Sequence, residues 1–478
     1  MSMFKRKVFL FIFILLSVSL FAEPKYETVI LKPSDNIIFE LRSSNKRYVI
    51  EHNFDLRGKE VKIGANSILD FQGGCLSNGK LKGDQTIIKA GLDAIFINID
   101  NTGTFQCLAV YPQWFGAKAD GNHDCSDALQ QAIDFAVNNY KVGNPWDIQQ
   151  VEGNCLKVEM PAGSYILKKS IYMRDYTHIE GQGRGITKLV NGGIDNGNAL
   201  VYLGHYDGDV RNKVNNASIK NLSINGCFKQ CIGIYSLAQF AFIENVFITK
   251  CNSYGIYSNE SWCTYIKNCH FIYNAIDSDG YTIYLTGRSS GWGANAVTIS
   301  ECEFMGQEIY DDIKDNDRVF KGNCIFSEYG NGIRIINCTF QQLNNCIILN
   351  PSGTSITVEN CYFEAVNTPI TGKLYGVNVL NNFFTAPIYS NMIVKSNHMQ
   401  GCHINNNTVT SGLSQCVIVG TDLDNKELLY YGNTFIGNFR SGTELTFAQK
   451  VLDYLKKSRS NQVITNTGNA YGAGVDSK

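Results

Sequence analysis

Carboxylates and cations collect in two stretches of this chain. Asp277, Asp279, Arg288 and Trp292 form the first, and Glu308, Tyr310, Asp311, Asp312, Lys314, Asp315, Asp317 and Arg318 the second, with Glu328 and Arg334 shortly beyond. Hydrolysis of a glycosidic bond needs one carboxylic acid and one carboxylate across it, their separation deciding inversion or retention. Asp279, Asp311, Asp312 and Glu328 can supply such a pair. Elimination beside a sugar carboxylate needs a base for the proton and a cation to neutralise the growing charge, roles open to Lys314, Arg318 and Arg334. Neither reaction requires a cofactor, although such carboxylates could hold calcium; no dedicated metal site is assigned. The plain alternative for 308–318 is a solvated loop of mixed charge. His270 faces outward on a different strand and reads as surface structure.

A repeat positions these residues. A six-residue phrase, with Ile or Val first, Asn third and Phe or Ile sixth, recurs at Ile219–Ile224, Ile243–Ile248, Ile266–Phe271, Ile299–Phe304, Ile335–Phe340, Val358–Phe363 and Val379–Phe384. Its third positions are spaced by 24, 23, 33, 36, 23 and 21 residues, and a period of that size means a solenoid. The 33- and 36-residue coils contain the two charged stretches, and long coils place loops along the binding face. Strict alternation would put positions one, three and five on one face, yet the apolar positions are one, four and six. Parity therefore flips at position three, where two short strands meet in a bend. Asn tolerates the left-handed conformation such a bend needs, and coils about 4.8 Å apart would let these amides form a structural ladder.

About ten residues after each phrase comes a second motif: Gly233–Ser236, Gly255–Ser258, Thr282–Leu285, Cys324–Ser327, Cys346–Leu349 and Pro387–Ser390. With Ile inward, the next residue turns outward, so one face carries Tyr235, Tyr257, Tyr284, Phe326, Ile348 and Tyr389. Parallel strands stacked in this way give an all-β, single-stranded right-handed parallel β-helix, its hand following the crossover rule. An exposed aromatic file marks a binding surface or something packed over it. Rings stack well on the C–H faces of sugars, so Tyr235, Tyr257, Tyr284, Phe326 and Trp292 are the candidate substrate platform; covering side loops are the bland reading. Trp262 fits a platform or local packing equally well. Glu328, two residues beyond Phe326, shares the outward parity.

The chain has 478 residues, 44% hydrophobic and 18% charged, with 44 Gly, a balance that favours a turn-rich β protein. Residues 1–22 read as a secretory signal peptide cleaved after Ala22: Lys5, Arg6 and Lys7 precede an apolar run from Val8 to Leu16 that is short for a membrane span. Removing them takes the formal charge from −1 to −4, which gives no reason to invoke nucleic acid. The mature chain is expected to be secreted or periplasmic, away from membrane; monomer and homo-oligomer both stay open. Sixteen Cys in an exported chain would suggest disulfides, but Cys269, Cys302, Cys338 and Cys361 share the fourth position of the phrase and read as small buried hydrophobes.

Residues 48–97 hold short strands broken by Gly58, Gly64, Gly73, Gly74, Gly79 and Gly83. Beyond them, Asp124 or Ser126 can cap a helix whose apolar side is Leu129, Ala132, Ile133, Ala136 and Val137, an N-terminal capping helix for the solenoid. The segment Phe115–Asp124, that helix, Met160–Tyr165 and Ile179–Gly183 together resemble the lead-in of the pectate lyase superfamily, with its rhamnogalacturonase, polygalacturonase and epimerase-like members. Ala119 stands where the family usually has Gly, and Cys125 where a second Asp is common. The resemblance implies a secreted protein acting on acidic, pectin-like polysaccharide, by glycoside hydrolysis or β-elimination in a groove on one face. In the polygalacturonase branch, Asp279 followed by Asp311 and Asp312 is similar to the Asn-Thr-Asp and Asp-Asp pattern, whereas the His-Gly and Arg-Ile-Lys pair has no counterpart here. The competing expectation is a non-catalytic glycan-binding or adhesive β-helix. The expected organisation is 1–22 signal peptide, 23–108 β-rich leader, 109–440 β-helix, and 441–478 helix and tail, the helix carried by Leu445, Ala448, Val451, Leu452 and Leu455.

Overall fold

The computed structural model describes residues 26–137, 141–142, 151–152, 156–204, 213–289, 291–310, 318–350, 354–388, 390–410, 416–421, 428–440, 443–444, 447–457, 463–465 and 471–472. The signal-peptide segment 1–22 lies outside them. The chain divides into two compact units, Met1–Leu108 and Ala109–Lys478. In the first, seven parallel strands join into one sheet, in which the long strand Leu76–Lys89 pairs with Ile68–Phe71, Phe54–Asp55, Glu60–Lys62 and Phe96–Gln106.

The second unit is the solenoid. A 24-stranded sheet and an 11-stranded sheet, whose coil-to-coil pairings are parallel, make a right-handed parallel β-helix. The phrase lies on the larger sheet. Its first, fourth and sixth residues point inward, as Ile219, Leu222 and Ile224 do at no more than 1% exposure. The parity flip is carried out by the third residue: Asn221, Asn245, Asn268, Glu301, Asn337, Asn360 and Asn381 all have φ between 51 and 57°, the left-handed region that Asn adopts at least cost. Bonding between third-position amides is found where Asn245 Nδ2 donates to Asn221 Oδ1 at 2.8 Å. Asn268, Asn337, Asn360 and Asn381 are exposed, where water competes for their amides. A buried ladder runs instead through the column next to it in the last coils, where Asn382 donates to Asn407 at 3.0 Å and Asn407 to Asn438 at 2.9 Å. There an unpaired amide would be costly, and each spare Nδ2 proton goes to a backbone carbonyl.

Two interior columns hold the coils in line. Phe271, Phe304, Phe340, Phe363 and Phe384 stack with centroids 4.8–5.0 Å apart and planes within 9°. Cys269, Cys302, Cys338 and Cys361 are all at most 2% exposed, and each thiol donates to the carbonyl two residues back at 3.2–3.3 Å. They pack as free thiols, as do all fifteen described cysteines.

The helix Ser126–Val137 buries Leu129, Ala132, Ile133, Phe135 and Ala136, and packs on the short helix Pro112–Phe115 and on the first coil strands Lys157–Met160 and Ile171–Tyr172. Of the two proposed capping residues, Asp124 acts at the helix start, accepting from Ser126 N at 3.0 Å, whereas Ser126 is the first helical residue and its Oγ accepts from the backbone of Lys168 and Lys169. At the other end, the helix Gln449–Lys457 lies against the strand Val417–Gly420, with Val451 buried.

Candidate functional site

The smaller sheet carries the aromatic file. Tyr202, Tyr235, Tyr257, Tyr284, Phe326 and Ile348 are direct register partners on successive coils, and Tyr172 precedes them. The residue before each ring from Tyr235 onward points inward, as Ile234, Ile256, Ile283 and Ile325 do at no more than 1% exposure. The rings touch along the file rather than stand apart: Tyr172 stacks on Tyr202 at 4.9 Å, Tyr235 on Tyr257 at 5.4 Å, and Tyr284 on Phe326 at 5.3 Å with planes 3° apart, while Tyr202 meets Tyr235 tilted by 42° and Tyr257 meets Tyr284 edge-on at 5.1 Å. A second column, Tyr254 and Tyr281, runs beside the first and stacks on Tyr284 and Phe326. The rings are half-buried, because each covers part of its neighbour. Burial lifts the Tyr257 phenol to about 12. Tyr389 lies outside the described residues.

Glu328 stands where the parity argument puts it, at the rim of this file. The Tyr284 hydroxyl donates to its Oε2 at 2.5 Å and Thr286 Oγ1 donates to the same atom at 2.6 Å. The Glu328 side chain is half-buried. Burial, then Glu328, keep Tyr284 protonated well above its usual range. Asp279 is exposed in the bend before Tyr281; after burial, it and Glu328 raise the Tyr281 phenol, so both carboxylates act on one ring of the file. The stretched coils are tied together. Gln307–Tyr310 and Arg318–Lys321 form an antiparallel hairpin, and Lys321 of that hairpin reaches Asp277 at 2.9 Å. Asp311, Asp312, Lys314, Asp315 and Asp317 lie outside the described residues; Arg318 pairs through its backbone with Tyr310. Arg334 starts a strand of the larger sheet, in register with Thr298 and Thr357, and so does not share a sheet with the file. His270 also lies on the larger sheet, 3.3 Å from Glu303.

Arg288 and Trp292 join a different centre. Glu260 is fully buried, and its carboxylate takes Arg288 Nε at 2.5 Å and NH2 at 3.2 Å. Lys213, 8% exposed, donates to the Glu260 carbonyl and sits 3.9 Å from its carboxylate. Lys213 lies 4.0 Å over Trp262, Arg288 lies 5.0 Å over Trp292, and the two indoles stack at 6.2 Å. Asn259 donates to the Tyr235 hydroxyl at 3.0 Å, which links this centre to the file. Trp292 is 51% exposed. Glu260 and Lys213 were not among the sequence candidates. Alternation from Tyr257 turns Glu260 inward, and that parity is the signal that marks it; Lys213 has none. Depressions lie at both ends of the file, one of about 370 Å³ lined by Tyr172, Lys169 and Arg174, the other of about 360 Å³ lined by Thr371, Lys373 and Lys395. Among the described residues no three His, Cys, Asp or Glu side chains gather as a metal-holding group.

No family model matches the chain. ORF18 of Geobacillus virus E2 superimposes with a TM-score of 0.55 at 18% identity, over 71% of this chain and 63% of that one. PfbA, a surface adhesin of Streptococcus pneumoniae, superimposes with a TM-score of 0.52 at 15% identity, over 75% of this chain and 89% of that one. This chain has a right-handed parallel β-helix fold. The likeness is one of fold. In sequence, the plasmin and fibronectin-binding protein A of Streptococcus pneumoniae is 29% identical over 100 residues, which is 21% of this chain. The chain spans 12% of the length of that curated relative. Among the described residues no helix is long and apolar enough to cross a membrane.

Proposed function

We propose that this chain is an extracellular protein that binds an extended polysaccharide along the Tyr172–Phe326 file. The observation that carries the reading is the unbroken register of six outward rings, one per coil, on one parallel sheet. A polymer with a short chemical period can meet such a surface unit by unit, and the hydroxyls of the file supply polar contacts beside the apolar faces. The resemblance to proteins that act at cell surfaces supports the extracellular part. The test is retention on immobilised acidic and neutral polysaccharides, with Tyr257→Ala as control. Equal retention of the two proteins on every polymer would rule the file out.

Cleavage is the second reading, and Glu328 favours it. A half-buried carboxylate fixed by two hydroxyl donors through one oxygen is oriented at the rim of the file, and Asp279 offers a second carboxyl at the same ring. Such a pair is what glycoside hydrolysis uses. New reducing ends that vanish in Glu328→Gln would support hydrolysis, and products absorbing in the ultraviolet would support elimination. Retention without either product leaves the protein a binder.

A further inference from the structure

Three thiols meet at one corner of two consecutive coils. All three gather around Gly226: Cys231 Sγ contacts its carbonyl, Cys251 Sγ lies against its Cα hydrogens, and Cys227 is the next residue in the chain. Cys231 and Cys251 are fully buried, whereas Cys227 is exposed. The backbone fixes the pair: the Cys231 carbonyl accepts from Ser253 N at 3.1 Å, and Lys229 is the register partner of Cys251. Glycines make the room. A Cβ at Gly226 would lie 2.8 Å from the Cys251 sulfur, so that position must stay bare for the sulfur to sit there; one at Gly233 would lie 3.2 Å from the same sulfur and 2.6 Å from the Gly255 carbonyl. Cys231 Sγ also reaches the Gly226 carbonyl at 3.7 Å. This arrangement differs from that of the Cys269–Cys361 column, whose four members are all buried.

We propose that Cys231 and Cys251 are an oxidisable pair that closes to a disulfide by exchange with a small-molecule disulfide, Cys227 being the thiol that admits the oxidant. The Cys227 thiolate attacks one sulfur of the small disulfide, breaks its S–S bond and releases one small thiol. Cys231 then attacks the Cys227 sulfur of the mixed disulfide and releases the second small thiol. Cys251 attacks the Cys231 sulfur, forms the final bridge and returns Cys227 as a thiol. One small disulfide is thereby reduced to two thiols, and the protein loses two hydrogens. Cys231 precedes Cys251 in this sequence of exchanges because it lies four residues from Cys227 in the chain. The bridge would staple the corner from which Tyr254, whose N–H also reaches the Cys231 carbonyl at 3.4 Å, leads into the aromatic file.

The test is thiol mapping of the reduced, full-length protein after incubation with oxidised glutathione, by alkylation and peptide mass analysis. A 231–251 crosslink with Cys227 alkylated is the expected result, and it needs no variant. Cys227→Ser is expected to reach the same crosslink about tenfold more slowly, and Cys251→Ser to stop at a 227–231 crosslink or a glutathione adduct on Cys227. Recovery of Cys231 and Cys251 as free thiols in the unsubstituted protein, or crosslinks to other cysteines in their place, would overturn the proposal. An unchanged rate in Cys227→Ser would overturn the assignment of Cys227.

Discussion

Lys213 makes the fold more stable as the pH rises, the reverse of what a well-paired lysine does. Its ammonium is buried, and its pKa falls from 10.5 to about 8, first because of burial and further because of Arg288, against the attraction of Glu260. The unfolded chain holds this proton up to its ordinary value, while the folded chain releases it near 8. Between the two values the unfolded state binds more protons, so stability increases with pH. At ~1.4 kcal/mol per pH unit the whole shift corresponds to about 3 kcal/mol. Raising the pH from about 7 to about 9.5 recovers about 2 kcal/mol of it, roughly a 30-fold gain in the folded-to-unfolded ratio. The raised phenols of Tyr235, Tyr254, Tyr257, Tyr281 and Tyr284 act in the opposite sense, since their stabilising contribution is lost as the pH climbs past the ordinary tyrosine value. The clean measurement is therefore a difference: urea unfolding of the unsubstituted protein and of Lys213→Met across that window. The unsubstituted protein gains on the variant by about 2 kcal/mol. A gap between the two that stays constant with pH refutes the account of Lys213.

Other outcomes follow from the coil geometry. Glu301 holds the left-handed bend with a residue ill suited to it, at φ 56°, so Glu301→Asn stabilises the fold by up to about 1 kcal/mol, read as a higher urea midpoint. Phe304, fully buried between Phe271 and Phe340, is worth about 3–5 kcal/mol on truncation to Ala, measured in the same way. Tyr257→Ala weakens polysaccharide binding about fivefold in a retention or calorimetric assay, because it removes ring contact worth roughly 1 kcal/mol.

The architecture was readable because the phrase repeats its chemistry. Ile219, Asn221, Leu222 and Ile224 each stand for a column, and a parity argument on one coil holds for all of them. The aromatic file was visible from Tyr235 to Phe326 by the same counting. It was cut short at its head because Tyr172 and Tyr202 belong to coils before the first phrase, and Tyr202 follows Val201 instead of Ile. The second column, Tyr254 and Tyr281, went unread because these rings open their strands, away from the motif that indexes the file. The charged centre was least legible. Glu260 and Lys213 come together across a 47-residue separation, which no period records, and Arg288 was assigned to a catalytic loop when its partner is a carboxylate buried beneath it.

The left-handed bend at Asn221, Asn245 and their equivalents has a further consequence for how such a chain can change. An insertion of one residue within the phrase turns every following inward side chain of that strand outward, and the coil loses its place in the stack. An insertion of a whole coil leaves each phrase intact and adds one rung to both interior columns and one ring position to the file. The length of the groove is therefore free to change only in whole turns, and the size of ligand it fits changes in the same discrete steps.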